Sequence, residues 1–581
     1  MTKTDQLFYF VILFFIGGIL FVPFLGSVHL FDWDEINFAE SAREMMVTNN
    51  YSQVQINFNP FWEKPPLFIW LQVLSMQLFG VNEFAARFPN AIFGILTLWV
   101  IFSFAKKLFK GHIAHWWVLS YLGSITPHLY FKTGLIDPVF NFFIFLSILE
   151  FFKALKNNHV SYNPNQNFFL AGLYTGIAIL CKGPVALLVG LLVLFAMVFA
   201  KRMVWFFRIQ HLFFYLFSTL LVCCIWFLPE TIKNGPYFLI EFIQYQIGLF
   251  SQNIAGHQQP FYYHALVLFF GCFPISIFAI AAWKKNEFYT YPENLFRLTM
   301  LCLFWVVLIL FSIVKTKIVH YSSLCWLPLT FLSAYGIESI CNSIFKFKLK
   351  YILLTLLVGF IIAVASIALP VVMMFHKSAI IPYIKDEFAV MNINANVNWH
   401  YTDLIPGIIL CISLITFVVM LIKKANKTSV FGFLLIGMVV FISLSSILLV
   451  PKIEAHTQGG IIQFYKSKSK ENCYFHNAGF KTYAIYFYAN TLPLKSKDGL
   501  YKVRKSFLKS KGTPNYLALN EQQRNELDGA EKYWLINDAK LDKDAYFVVK
   551  ANNTQDLELN PELKIVYNKD GFIVFKRSKK P

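Results

Sequence analysis

From residue 7 to residue 450 the sequence returns repeatedly to apolar runs bounded by charges, near 7–28, 84–105, 112–130, 135–152, 167–181, 184–200, 209–229, 261–283, 296–314, 319–340, 351–374, 403–422 and 430–450. A helix needs about 20 apolar residues to cross a bilayer core. With no water there to satisfy the backbone, a run of that kind leaves the chain little choice but helix. A polytopic α-helical membrane protein with thirteen transmembrane helices is therefore expected. The composition agrees: 57% of residues are hydrophobic and 14% are charged, against roughly 25% charged in an ordinary soluble domain. A soluble enzyme is excluded. The first run has no small-residue cleavage site after it and reads as a retained helix, not a removed signal peptide.

The formal charge of +19 would suggest a nucleic-acid partner in a soluble chain. Here the cations flank the spans. With a cytoplasmic N-terminus, eighteen cations, among them Lys106, Lys107, Lys201, Arg202, Lys284, Lys285 and Lys346, fall on the cytoplasmic side, and ten fall in the opposite loops before the tail. The positive-inside rule then selects this orientation in the inner membrane, with no nucleic acid implied. Thirteen crossings place the tail in the periplasm. The sequence divides into a transmembrane domain over 1–450, whose first periplasmic loop covers 29–83, and a soluble C-terminal domain over 451–581. In the tail, alternating runs at Lys564–Tyr567 and Phe572–Phe575 and turn signals at Asp498-Gly499 and Asp570-Gly571 predict an α/β or α+β fold. Eight of nine cysteines lie in or beside spans, leaving Cys473 alone in the tail, so no disulfide framework is expected. There is no internal repeat and no Gly-rich phosphate loop, so no nucleotide cofactor is expected.

Ionisable residues gathered beside spans are functional candidates. The first loop carries Asp34-Glu35, with Ile36, Ala39, Ala42 and Met46 at helical spacing, so Asp34 is either the N-cap of a helix or a functional carboxylate. Further on, Trp62-Glu63-Lys64-Pro65-Pro66 leads into an apolar stretch ending at Phe79 that is too short to span and reads as an interfacial helix. Two prolines fix the chain direction and hold Glu63 and Lys64 at a rigid corner. Asp137-Pro138 opens span four, where the carboxylate again suits a cap or a function. Lys182 sits between spans five and six so tightly that it must lie at the outer face, within reach of lipid phosphate. The run from Gly256 to His264, with His257 and His264, leads into span eight, and Lys315, Lys317, His320 and Tyr321 lead from span nine into span ten. The two lysines depart from the cytoplasmic bias and suggest an anionic ligand. Glu63 with a loop histidine makes a partial metal site at most, since two ligands do not establish one.

These residues, in this order, resemble the GT-C superfamily of lipid-linked glycosyltransferases, in the branch of the bacterial lipid A 4-amino-4-deoxy-L-arabinose transferases and the protein O-mannosyltransferases. Asp34-Glu35 with Phe38-Ala39-Glu40 and Arg43-Glu44 is similar to the first-loop motif. The most specific likeness is Glu63-Lys64-Pro65-Pro66-Leu67 followed by Phe79-Gly80 and Glu83 to Pro89. Lys182-Gly183-Pro184, His257 to Tyr263 and Lys315 to Tyr321 fall at the expected places, so the likeness covers roughly residues 1–340. The tail matches no motif. Asn37 stands where the aminoarabinose transferases usually have Arg, and Phe61-Trp62 where they usually have Tyr, which leaves the sugar open.

The resemblance implies inverting transfer of one sugar from an undecaprenyl (polyprenyl) phosphate donor to a periplasmic-face acceptor, lipid A or a related glycolipid, with exported protein as the alternative acceptor. It implies Asp34 as the base, with Asp137 and Glu35 as further catalytic carboxylates. Lys64, Lys182, Lys315, Lys317 and Tyr321 would bind the donor phosphate, and Glu63 with His257 would hold a divalent, zinc-like metal. A transporter or flippase of a polyprenyl-linked substrate is the rival class. Transporters place substrate charges at midplane on broken helices in repeated halves, and here the charges gather in outer loops.

Overall fold

The computed structural model describes residues 3–156, 163–200, 208–251, 259–283, 287–513, 516, 519–538 and 540–580. Helix occupies every range expected to span. Among the described residues nine helices are long and apolar enough to cross a membrane, or ten if Tyr263–Gly271 and Ile275–Ala282, bent by 107° where Cys272-Phe273-Pro274 interrupts the ladder, form one broken span. The other three expected spans are shorter or less apolar helices: Ile113–Leu122 with Ile125–Tyr130, Asn165–Lys182, and Val185–Ala200. The short stretch after the Pro-Pro corner is the helix Leu67–Phe79.

Two compact units make up the chain, and their boundaries differ from a single cut at 450/451. One comprises residues 1–26, 62–368 and 401–448; the other comprises 27–61, 369–400 and 449–581. The expected first loop, 29–83, is thus divided at Phe61/Trp62. Its first part groups with C-terminal residues because polar bonds tie it there: the backbone N–H of Leu30 donates to the Tyr488 hydroxyl at 2.7 Å, and Gln458 donates to the Leu30 carbonyl at 2.8 Å.

In the larger unit, helices pack through small residues, the usual solution where lipid gives no hydrophobic drive between helices. Asn165–Lys182 lies against Ile209–Asn234 at Gly172, where a Cβ would come within 2.2 Å of the Tyr215 carbonyl oxygen. The Thr219 hydroxyl donates to the Gly172 carbonyl at 3.1 Å, and Ser147, Thr175 and Tyr215 share hydroxyl bonds of 3.0 Å.

In the smaller unit a hairpin pairs β1 (Gln55–Ile56) with β2 (Asn59–Pro60). The C-terminal residues add β3 (Tyr474–Asn477), β4 (Ala545–Lys550), β5 (Lys564–Lys569) and β6 (Phe572–Arg577) in the order β3-β4-β6-β5, with β3 parallel to β4 and the other pairs antiparallel. Phe547, Val549, Ile573 and Phe575 from the sheet pack with Leu500 and Leu535 from the helices Gly499–Ser510 and Glu521–Asn537. Asp570-Gly571 makes the predicted two-residue turn, with φ of 55° and 79°, the left-handed pair that a tight hairpin requires. Asp498-Gly499 closes a turn, the Asp498 N–H donating to the Lys495 carbonyl at 2.8 Å, and at the same time opens a helix. Asp498 is the residue before the helix Gly499–Ser510, and its carboxylate accepts from the Lys495 N–H.

Candidate active site

The larger unit gathers residues from three separate stretches around one carboxylate. Asp137 begins the helix Asp137–Lys156, with Pro138 in the first turn where its missing N–H costs nothing. Its approach is fixed by Asn90, whose amide donates to the carbonyls of Thr133 and Leu135, both at 2.6 Å. Among the described residues the Asp137 side chain makes no capping bond to its own helix. Instead Asp137 Oδ1 accepts from Lys182 Nζ at 2.5 Å and from the Ser323 hydroxyl at 3.3 Å. Ser323 is held in turn by Asn141, which donates to it at 2.9 Å. Lys64 and His320 also lie within electrostatic reach of this carboxylate.

Lys182 ends the helix Asn165–Lys182, and Gly183 then turns the chain with φ 102° and ψ −170°, a conformation open to glycine almost alone. A Cβ there would also press on Gln246 at 3.3 Å. That turn aims the ammonium at Asp137, with its Nζ 5.1 Å from the ring centre of Tyr321 and 5.6 Å from that of Phe140. The pair is buried, with side-chain exposures of 3% for Asp137 and 11% for Lys182. A desolvated ion pair persists only where its geometry and further hydrogen bonds compensate for lost hydration.

Four of the residues singled out from sequence, Lys64, Asp137, Lys182 and Tyr321, are thereby brought together. His320, named with Tyr321 in the sequence, joins them together with Ser323 and Asn141, two small polar residues that hydropathy leaves inside apolar helices and that nothing else in the sequence marks. Lys317 is buried but donates to the Val314 carbonyl at 2.8 Å, and Lys315 is exposed. The Glu63 backbone carbonyl accepts from Gln246 at 3.2 Å. His257 lies outside the described residues. Among the described residues no three His, Cys, Asp or Glu side chains gather as a metal centre, so Glu63 contributes one candidate ligand and the described residues do not complete a set.

In the smaller unit, Asp34 is the first residue of the helix Asp34–Thr48, and the cap position falls on Trp33, which makes no capping bond. The N-cap reading of Asp34 is corrected accordingly; its carboxylate sits at the positive end of the helix dipole. Glu35 is buried and accepts from the Phe31 N–H at 2.8 Å, fixing the entry to the helix. Deeper in the same helix Arg43 makes two bonds to Glu40, of 2.7 and 2.6 Å, and reaches Asn490 and the Thr491 carbonyl. Glu44 accepts from the Phe58 N–H at 2.7 Å. Burial, and then the charge of Glu40, hold the Glu44 carboxyl well above the usual carboxylate range.

Comparison with known proteins shows what the chain is similar to. The sequence profile of a family described as dolichyl-phosphate-mannose-protein mannosyltransferase matches residues 63–230, the stretch from Glu63 through Lys182. The undecaprenyl phosphate-alpha-4-amino-4-deoxy-L-arabinose arabinosyl transferase of Wigglesworthia glossinidia brevipalpis is 28% identical over 333 residues, 54% of this chain and 56% of that protein. An enzyme of the same name from Proteus mirabilis, numbered 2, is 28% identical over 388 residues, 63% of this chain and 68% of that protein. The chain thus spans little more than half the length of the first of these relatives. Crystal structures of ArnT from Cupriavidus metallidurans superpose over nearly the whole chain. The apo state gives a TM-score of 0.73 at 16% identity, covering 98% of this chain and 97% of that one. The form bound to undecaprenyl phosphate gives 0.71 at 18% identity, covering 99% and 98%. At such identities the likeness establishes the fold: this is a multi-span membrane protein that shares the fold of those ArnT structures.

Proposed function

We propose that this chain moves one sugar from an undecaprenyl-type polyprenyl phosphate to an acceptor at the periplasmic face of the inner membrane, with inversion at the anomeric carbon. The observation that carries the reading is the buried Asp137–Lys182 pair, with Lys64, His320 and Tyr321 converging on it from distant segments. A sugar leaving a phosphodiester places growing negative charge on the phosphate as the carbon–oxygen bond breaks. Cations already fixed and desolvated stabilise that charge without reorganising at the moment of reaction. The names of the curated relatives, and the ArnT complex with undecaprenyl phosphate, support this donor class.

In this reading Lys64, Lys182 and Tyr321 receive the phosphate, with Lys315 and Lys317 as outlying cations. Asp137 holds Lys182 in place and positions the sugar. The acceptor oxygen bonds to the anomeric carbon from the face opposite the departing phosphate. When that oxygen is a hydroxyl its proton passes to Asp34, the assigned base. When it belongs to an ionised phosphate, as on lipid A, there is no proton to remove and Asp34 orients the acceptor. Glu35 keeps Asp34 in register through the Phe31 bond. Glu63 and His257 are the proposed ligands of a divalent metal, to which no step is assigned. The charge bias of the loops supports a cytoplasmic N-terminus and a periplasmic C-terminal domain.

The family profile over 63–230 favours one second reading, transfer to exported protein. Mass spectrometry of lipid A and of periplasmic proteins, from cells with and without the gene, separates the two. A sugar lost from lipid A supports the first, one lost from protein supports the second, and no change in either refutes both.

A further inference from the structure

One imidazole beside this site has both ring nitrogens unpaired among the described residues. His264, at the start of the helix Tyr263–Gly271, is 0% exposed, and among the described residues neither its Nδ1 nor its Nε2 has a hydrogen-bond partner. A buried polar group left unmatched costs roughly 1–3 kcal/mol. Leu, common elsewhere in this protein's core, would avoid that penalty. The surroundings state what kind of ligand the ring would accept. Lys317 and His320 lie within electrostatic reach of it, and among the described residues these basic side chains are the ionisable groups named as acting on it. A cation is therefore repelled and an anionic oxygen is attracted. The ring also belongs physically to the site described above. It contacts the ring of Phe311 at 6.4 Å, Phe311 contacts Tyr321 at 5.6 Å, and Tyr321 lies under the Lys182 ammonium. His320 links the two groups a second time, lying within electrostatic reach of both His264 and Asp137.

We infer that His264 is a hydrogen-bond donor to a phosphate oxygen of the bound substrate, completing with Lys317 and His320 a second wall of the anion site whose first wall is Lys64, Lys182 and Tyr321. The inference rests on the proposed reading of that site as a binder of polyprenyl phosphate. Lys317 takes part by holding its charge near the ring while its ammonium stays on the Val314 carbonyl. No covalent step is added: His264 binds and positions.

The test uses the full chain in lipid nanodiscs, with undecaprenyl phosphate as the probe and thermal midpoint recorded alongside affinity. His264→Leu is expected to weaken binding about tenfold while leaving the midpoint unchanged or raised, because it removes an unmatched polar group. His264→Gln, which restores a donor at similar reach, should recover most of the affinity. Wild-type affinity in His264→Leu overturns the inference. So does weakened binding that comes with a lowered midpoint and no rescue by Gln, which marks a packing role. Lys182→Met checks the underlying reading separately. If wild type fails to bind the lipid, or Lys182→Met binds it as wild type does, the donor-site reading fails. Inorganic phosphate then decides His264 by itself: a phosphate-dependent rise in midpoint seen in wild type and lost in His264→Leu upholds the anion assignment, and its absence from wild type or persistence in the variant overturns it.

Discussion

Lys182→Met asks how much the buried ion pair is worth. The substitution leaves the Asp137 carboxylate 3% exposed, with the Ser323 hydroxyl at 3.3 Å as its remaining hydrogen-bond partner among the described residues and Lys64 and His320 farther away. Removing one member of a buried pair costs about 3–5 kcal/mol, because the other is stranded without water. The residual hydroxyl and the nearby Lys64 place this case at the lower end, about 3 kcal/mol. Asp137→Asn is milder, since Lys182 keeps the faces of Tyr321 and Phe140 and is partly wetted at 11% exposure. The double variant Asp137→Asn/Lys182→Met should be more stable than Lys182→Met, with a coupling of about 2 kcal/mol in the double-mutant cycle. Reversible unfolding of the four proteins in mixed detergent micelles measures this. Sugar transfer, followed in the same preparations, should be lost in all three variants, so stability returns in the double variant and activity does not. Losses that simply add, with coupling below about 0.5 kcal/mol, would refute the claim that the two charges hold one another.

Asp34→Asn and Glu63→Ala should each abolish transfer with thermal midpoints near wild type; unchanged turnover in either removes that residue from the site. In the same preparations, elemental analysis should find metal in wild type and less in Glu63→Ala, and equal content in both would end the metal assignment. Gly183→Ala should lower stability by roughly 1–3 kcal/mol, because alanine does not tolerate φ 102° with ψ −170°; a wild-type unfolding midpoint would show that the turn relaxes. Glu44→Gln tests the buried acid of the smaller unit. A carboxyl raised in the fold keeps its proton where the unfolded chain has lost its own, so its contribution to stability is full at low pH and is lost as pH rises through the folded value. The midpoint of Glu44→Gln should therefore gain on wild type between pH 5 and pH 9, and a gap independent of pH would count against a raised carboxyl.

What could be read from the chain itself follows from the solvent each segment must meet. An apolar run of some 20 residues has one stable form in a bilayer, so the helices lie where hydropathy places them. The Pro-Pro corner and the Asp570-Gly571 hairpin were equally legible, because proline and left-handed turn residues restrict the backbone locally. Partner choice was not legible. Lys132 and Lys182 look alike as lone cations at outer helix ends, yet Lys132 donates to the Leu20 and Pro23 carbonyls at the end of the first helix, and Lys182 pairs with Asp137, 45 residues away. Lys317 resembled a ligand lysine and donates to a helix-end carbonyl. Asp34 resembled a cap and stands inside its helix. His264, one histidine among several near the loops, differs from the others only in the fold, where nothing among the described residues bonds to its ring. Hydropathy is a property of consecutive residues, so sequence alone determined the membrane class, the helices and the segments from which a site would be drawn. Which charges neutralise one another depends on distances between helices remote in sequence, and Coulombic and hydrogen-bond energies fall off within a few ångströms; only the tertiary structure could decide them.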